Sequence, residues 1–210
     1  MQRTLSISVM SLGGSKMISH KHKCIFIHIR KTAGISIRNI LGECDGESCG
    51  LHFHDHLSGH KNLLSKKQFD EYFKFTFVRN PWDMRVSLYK YLAKGGHRSL
   101  TRYARRLSFP NWIKRYSNRV NVNTTHTGRT QLSYIEPSEN MDFIGRFENL
   151  QEDFNVVCNK IGIPRQELPH KNKSKREHYT EYYDDETRQI VAERYSMDIE
   201  YFGYEFGESI

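Results

Sequence analysis

The chain has 210 residues, of which 37% are hydrophobic and 27% charged, with 32 Lys and Arg against 24 Asp and Glu for a net charge of +8. No apolar run approaches the length of a membrane-spanning helix, and the basic balance favours an anionic partner: nucleic acid, nucleotide, sulfated sugar or membrane surface. The length fits one domain without need of disulfide staples.

Residues 1–23 scatter Arg3, Lys16, Lys21 and Lys23 among Ser, Gly and His. They lack the compact apolar core of a signal peptide and are expected to be a flexible leader. Cys24 to Ile29 is short and rich in Ile and Phe, the pattern of a strand covered on both faces. Lys31-Thr-Ala-Gly34 reads as a turn and Ile35 to Leu41 as a helix stopping at Gly42. Residues 42–60 form a His- and Gly-rich excursion, and Leu63 to Tyr72 is weakly helical. Phe73 to Val78 is a second buried strand. Asn80-Pro81 then opens a helix, with Asn as N-cap, Pro at the first position and Asp83 near the positive helix end. That helix ends at Gly95-Gly96. Residues 97–140 read as a polar, helical-to-irregular insertion, Met141 to Gly145 as a short strand, and Glu148 to Lys160 as a helix. Ile163 to Lys175 is a basic loop, and one last helix covers Asp184 to Glu200. Two strand–turn–helix units some fifty residues apart predict an α/β fold, an open parallel sheet flanked by helices. The predicted domain covers 24–206, with a short tail over 207–210.

The cysteines, Cys24, Cys44, Cys49 and Cys158, are most simply reduced thiols of a cytoplasmic protein. A Cys44–Cys49 bridge is the alternative.

Both strand–turn–helix units have the make-up of an anion site. In the first, a helix start exposes unpaired N–H groups and partial positive charge beside Lys31, Gly34 and Ser36. It is not a Walker A loop, and an ordinary turn with a surface Lys explains it as well. In the second, Arg79 stands at the carboxyl end of a strand, where its fork can grip a phosphate. Ser87 follows two helical turns on. The alternative makes Arg79 the ion-pair partner of Asp83. Two such sites at one sheet edge suit a nucleotide phosphorylated at both 5′ and 3′ positions.

Ile27-His-Ile-Arg-Lys-Thr-Ala-Gly-Ile-Ser36 together with Phe77-Val-Arg-Asn-Pro-Trp-Asp-Met-Arg-Val-Ser87 resembles the sulfotransferase superfamily that uses 3′-phosphoadenosine-5′-phosphosulfate, in particular its carbohydrate-type branch and bacterial relatives. Asp142 to Leu150, Leu168 to Ser174 and Phe202 to Phe206 are similar strings in the family's order. The resemblance spans roughly residues 24–206 and implies a P-loop-like sulfotransferase fold. It further implies that Arg30, Lys31, Thr32, Ala33, Gly34, Ile35 and Ser36 hold the 5′-phosphosulfate, and that Arg79 and Ser87 hold the 3′-phosphate. Arg146-Phe-Glu-Asn149 would brace the nucleotide side. Lys173, Ser174, Lys175 and Arg176 would close over the donor. Arg30 and Ile35 depart from the family's usual Pro and Thr. A hydroxyl lost at position 35 corresponds to roughly 1.5–3 kcal/mol of hydrogen bonding.

Sulfuryl transfer to an alcohol needs an aligned acceptor, a base for its proton and a cation for the leaving oxygen. Lys31 fits the last role. In the carbohydrate branch a base His often falls between the two phosphate units, and His56-Leu-Ser58 resembles that pattern. His56 is therefore the first candidate for the base and His54 the second, with His60 and His52 behind. Zinc held by Cys44, Cys49, His52, His54, His56 and His60 is a rival reading with non-standard spacing, and simple solvated histidines are a third. No metal is expected. His28, inside the first strand, reads as structural.

From Met84 through Ile135 there are eleven Lys and Arg and no Asp or Glu. That asymmetry predicts an electropositive wall and an anionic saccharide acceptor. Tyr91, Tyr103, Trp112 and Tyr116 could be stacking faces or core. A nucleotide-dependent small-molecule kinase lacks its Walker A loop and Mg²⁺-binding carboxylate here. A basic nucleic-acid-binding module lacks a recognition motif, so no nucleic-acid partner is expected, nor an integral membrane segment. Oligomeric state is not readable.

Overall fold

The computed structural model describes residues 18–42, 56–96, 98–119, 129–168 and 177–208. A four-stranded sheet, β1 (Ile18–Ser19), β2 (Cys24–Ile27), β3 (Phe73–Val78) and β4 (Phe143–Arg146), runs in sequence order across its width. β2, β3 and β4 are parallel; β1 adds an antiparallel edge. The fold is α/β, with a mixed sheet flanked by helices. The leader expected over 1–23 is shorter at its inner end, because Ile18 and Ser19 pair with Ile25 and Cys24 and are buried. The expected tail at 207–210 also begins inside the fold, where the Gly207 N–H donates to the Tyr179 hydroxyl (2.6 Å).

Side-chain alternation on β2 divides the core. Cys24 and Phe26 face one side of the sheet with Phe75 and Phe77, and pack on Ile37 and Leu41 of α1 (Gly34–Leu41). Phe154, Val157 and Ile161 of a helix later in the chain, Leu150–Ile161, close that side. Ile25, Ile27 and Ile29 face the other side. There they meet Leu57 of α2 (Leu57–Lys61), Phe69 of α3 (Lys66–Glu71), and Tyr134 and Ile135. α3 starts with a complete capping box between Ser65 and Gln68, each satisfying an end-group of the other.

A third cluster lies among helices. Val86, Leu88 and Leu92 of α4 (Pro81–Ala93) pack with Ala104 of α5 (Arg98–Arg106) and with Phe109, Trp112 and Ile113 of α6 (Phe109–Arg119). Trp112, considered as a sugar-stacking face, is 2% exposed and belongs to this core. Among its described residues the polar insertion thus holds three α-helices, α5, α6 and a short α7 (Leu132–Ile135). The helix Leu150–Ile161 is α8. The expected single last helix is two, α9 (Asp185–Arg194) and α10 (Ser196–Phe202), broken at Tyr195. Helical periodicity runs through the break, so the pattern alone does not reveal it. Tyr195 is fully buried and accepts a hydrogen bond from Arg85 Nη1 (3.2 Å).

The parallel register carries the fold to its site. Cys24 pairs with Phe73 and Ile27 with Thr76, so the carboxyl ends of β2 and β3 arrive side by side. The turn leaving β2 has positive φ at Lys31 (64°) and Ala33 (63°), a conformation non-glycine residues adopt at a cost. Gly34 is required there by packing: a Cβ would lie 1.9–2.0 Å from the His28 ring.

Gly34→Ala is expected to destabilise the protein by about 1–3 kcal/mol through overpacking, measured by urea denaturation. In a His28→Ala background the same change should cost little. An undiminished cost there would show that the His28 contact is not the reason for the glycine.

Candidate functional site

The two strand–helix junctions are joined directly. Arg79 follows β3, and its Nη1 donates to the Lys31 carbonyl (2.8 Å). Its Nε and Nη2 donate to Asp83 Oδ2 at 2.7 and 2.5 Å, in the first turn of α4. The guanidinium lies 3.6 Å from the ring centre of Phe147. The backbone of Arg79 is held too, since Gln131 accepts its N–H (2.8 Å) and donates to its carbonyl (2.7 Å). The fork expected on a 3′-phosphate thus faces Asp83 and the Lys31 carbonyl in this conformation, the alternative the sequence left open. Ser87 is half-buried on α4.

Around the first junction, Thr32 is fully buried and its hydroxyl donates to the Ile29 carbonyl (2.8 Å), which locks the turn. Ala33 is the N-cap of α1, and its carbonyl accepts from the N–H groups of Ser36 (2.9 Å) and Ile37 (3.3 Å). Gly34 and Ile35 head the helix, where N–H groups have no carbonyl within it. Ser36 is buried, and Ile35 is 54% exposed. The Lys31 ammonium sits 4.4 Å from the centre of the Tyr91 ring.

Arg30 and Lys31, both half-buried, line one cleft with Met84, Arg85, Leu88, Arg129, Gln131, Tyr134, Ile29 and Tyr195. Four of these residues are cationic and none is Asp or Glu. Among the described side chains of the basic residues of 84–135, Arg85 and Arg129 reach this lining. Others have local roles: Lys114 pairs with Glu186 at 2.5 Å, Arg105 bonds the Ala93 carbonyl (2.9 Å), and Lys90 lies over Tyr182.

His56 lies beside this cleft, against two of its lining residues, Arg129 and Tyr134. It is the N-cap residue of α2, and its ring stacks on Tyr134 at 4.9 Å with an interplanar angle of 10°. Its Nδ1 donates to the Ser133 carbonyl (2.5 Å), which fixes the tautomer and leaves the lone pair on Nε2. Nε2 accepts from Arg129 Nη1. His60 is buried, with Nδ1 on the His56 carbonyl (2.9 Å). His28 stacks on Phe26 in the interior. Among the described residues no group of three metal-ligating side chains forms. His52, His54, Cys44, Cys49 and the loop residues Lys173, Ser174, Lys175 and Arg176 lie outside the described residues.

The Arg146–Asn149 string supports the site from beneath. Phe147 underlies Arg79. Glu148 accepts from the Asn80 N–H (2.7 Å) and the Tyr204 hydroxyl (3.2 Å), and burial raises its carboxyl above the ordinary value. Arg146 donates to the Phe202 carbonyl. Sequence reasoning missed Gln131, Ser133 and Asp198. Asp198 of α10 is fully buried and accepts from the N–H groups of Gln131 (2.8 Å) and Leu132 (2.9 Å) at the start of α7. Desolvation holds its carboxyl up at about 6, against these bonds.

The family model described as "Sulfotransferase family" matches residues 15–205. The chain belongs to the sulfotransferase family. An uncharacterized protein of Archaeoglobus fulgidus is 34% identical to this sulfotransferase over 110 residues, which cover 50% of the chain and 81% of that protein. No solved structure matches it. No helix among the described residues of the sulfotransferase is long and apolar enough to cross a membrane.

Two outcomes follow from the supports. A folded-state value near 6 for Asp198, above the usual 4, means its stabilising contribution is fullest below about pH 4 and fades as pH rises through 6. The difference is about 3 kcal/mol between the two limits. Chemical denaturation from pH 4 to 8 should show that decline in the wild type, and Asp198→Asn should flatten it. Asp83→Ala should cost about 3–5 kcal/mol, because it leaves the Arg79 charge buried without its carboxylate. A loss under 1 kcal/mol in the same assay would contradict the ion pair's role.

Proposed function

We propose that this sulfotransferase moves a sulfuryl group from 3′-phosphoadenosine-5′-phosphosulfate to a hydroxyl of an anionic saccharide or glycoconjugate, with His56 as the base. The observation that carries the reading is the tautomer of His56: the Ser133 carbonyl takes Nδ1–H, so the proton-accepting nitrogen is Nε2, which meets Arg129 of the cationic cleft.

The residues present fit the donor. The cleft gathers Arg30, Lys31, Arg85 and Arg129 with no carboxylate in its lining, and the head of α1 adds backbone donors suited to phosphate. Arg30, Lys31, Ser36 and the N–H groups of Gly34 and Ile35 would hold its 5′ end. Arg79 and Ser87, at the neighbouring junction, would hold the 3′-phosphate, with Lys173 to Arg176 closing over it. The bound donor supplies an activated sulfuryl group on a phosphate leaving group.

Lys31 neutralises charge at the leaving oxygen, a role that a mobile ammonium beside a rigid turn performs well. His56 removes the acceptor's proton at Nε2, and the Ser133 bond stabilises the imidazolium that results. The stacked Tyr134 ring holds the imidazole plane. The abundance of cations favours an acceptor bearing carboxylate or sulfate. Reduced Cys24 and Cys158, both buried, accord with a cytoplasmic setting. Burial pushes the Cys24 thiol up to about 12, so it stays an inert thiol.

Transfer of labelled sulfate to a saccharide panel tests the assignment. His56→Gln should lower kcat about 10²–10⁴-fold with 3′-phosphoadenosine-5′-phosphate affinity retained. Lys31→Ala should lower transfer about 10²–10³-fold and weaken that affinity as well. Wild-type rates in His56→Gln would remove the base assignment.

A further inference from the structure

A base must present its lone pair to the proton it will take. In this structure the lone pair of His56 is occupied, because Nε2 accepts a hydrogen bond from Arg129 Nη1. The ring cannot offer its other nitrogen, since Nδ1 is committed to the Ser133 carbonyl (2.5 Å). Nor can it turn away easily, lying flat on Tyr134. The group that must move is therefore the guanidinium.

We infer that Arg129 is a gate on His56, closed in the resting protein and opened by an anionic group on the acceptor. The inference rests on the assignment of His56 as base. Arg129 is only half-buried, and it shares its cleft with Arg30, Lys31 and Arg85 and with no Asp or Glu. Among the described residues, no carboxylate lines the cleft to compete for it. A neutral imidazole nitrogen is a weaker partner for guanidinium than a carboxylate or sulfate, which can accept two parallel bonds. An acceptor carrying such a group close to its reacting hydroxyl draws Arg129 off Nε2 and delivers the hydroxyl to the nitrogen it vacates. Arg129 is on this account a positioning residue, and the preference for charged acceptors lies in it.

The closed gate also protects the donor. With Nε2 exposed and no saccharide bound, His56 could take a proton from a water molecule whose oxygen attacks the sulfur. The S–O bond to the leaving phosphate would break, with its electron pair staying on that phosphate, and sulfate would be released. Arg129 on Nε2 suppresses that loss.

Diethyl pyrocarbonate acylates an imidazole nitrogen only through its lone pair, and peptide mass spectrometry can follow His56 with exposed His178 as internal control. His56 should react about tenfold faster in Arg129→Gln than in wild type, the effect of one lost charge-assisted bond, with Arg129→Lys between. Added acetate, which can pair with Arg129 but brings no hydroxyl to Nε2, should speed the wild-type reaction relative to His178, and glucose should not. Hydrolysis of the donor without acceptor should rise by a similar factor in Arg129→Gln and fall back in Arg129→Gln with His56→Gln. Equal acylation rates in wild type and Arg129→Gln, no acceleration by acetate, or hydrolysis that persists in the double variant would overturn the gate. Full transfer activity in His56→Gln alone would defeat the base assignment instead, so the two failures are distinguishable. Thermal melting of each variant checks that the fold is intact.

Discussion

The bond from Arg79 Nη1 to the Lys31 carbonyl ties the two halves of the site together. It exists because β2 and β3 are parallel with a constant offset, so residues forty-eight apart emerge at one edge. Everything near it serves to keep Arg79 in place. Asp83 neutralises it, Phe147 covers its face, and Gln131 clamps its peptide. Buried charge is tolerable only when paired and bonded in this way. The Lys31 turn, with two residues at positive φ, is held to the sheet from outside by that guanidinium and from inside by the Thr32 hydroxyl.

A second organising element is the short stretch 129–135. Arg129 and Ser133 hold the two nitrogens of His56, Tyr134 lies under its ring, and Gln131 grips Arg79. α7 has four residues and little helical stability of its own. Asp198 supplies what it lacks by accepting two N–H groups at its start. The proposed donor side and the proposed base side are thereby set by one segment anchored to α10. A shift at Asp198 would reach both.

Local patterns made much of this legible. The bounds of β3, the Asn80–Pro81 helix start and the Ile35–Leu41 helix, which in the structure begins one residue earlier, follow from apolar runs, caps and breakers, which act within a few residues. Lys31 and Arg79 could be placed at strand ends for the same reason. The tertiary partners could not. Gln131 meets Arg79 across fifty-two residues and Asp198 meets Gln131 across sixty-seven, and nothing in a Gln or Asp in a loop or helix announces such a partner. Trp112 shows the converse difficulty, because an aromatic residue in a basic stretch looks the same whether it faces a sugar or the core. Gly34 was legible as a turn residue, but its close contact with the imidazole of His28 was not. The family resemblance supplied His56, and the structure supplied the tautomer on which its proposed role as base rests.

The most direct measurement is a crystal structure with 3′-phosphoadenosine-5′-phosphate. The account predicts the 5′-phosphate at the head of α1 within reach of Lys31, the 3′-phosphate at the Arg79 junction, and His56 Nε2 facing the space next to the 5′-phosphate. A nucleotide bound away from these two junctions, or with His56 on the far side of the sheet from it, would contradict the account.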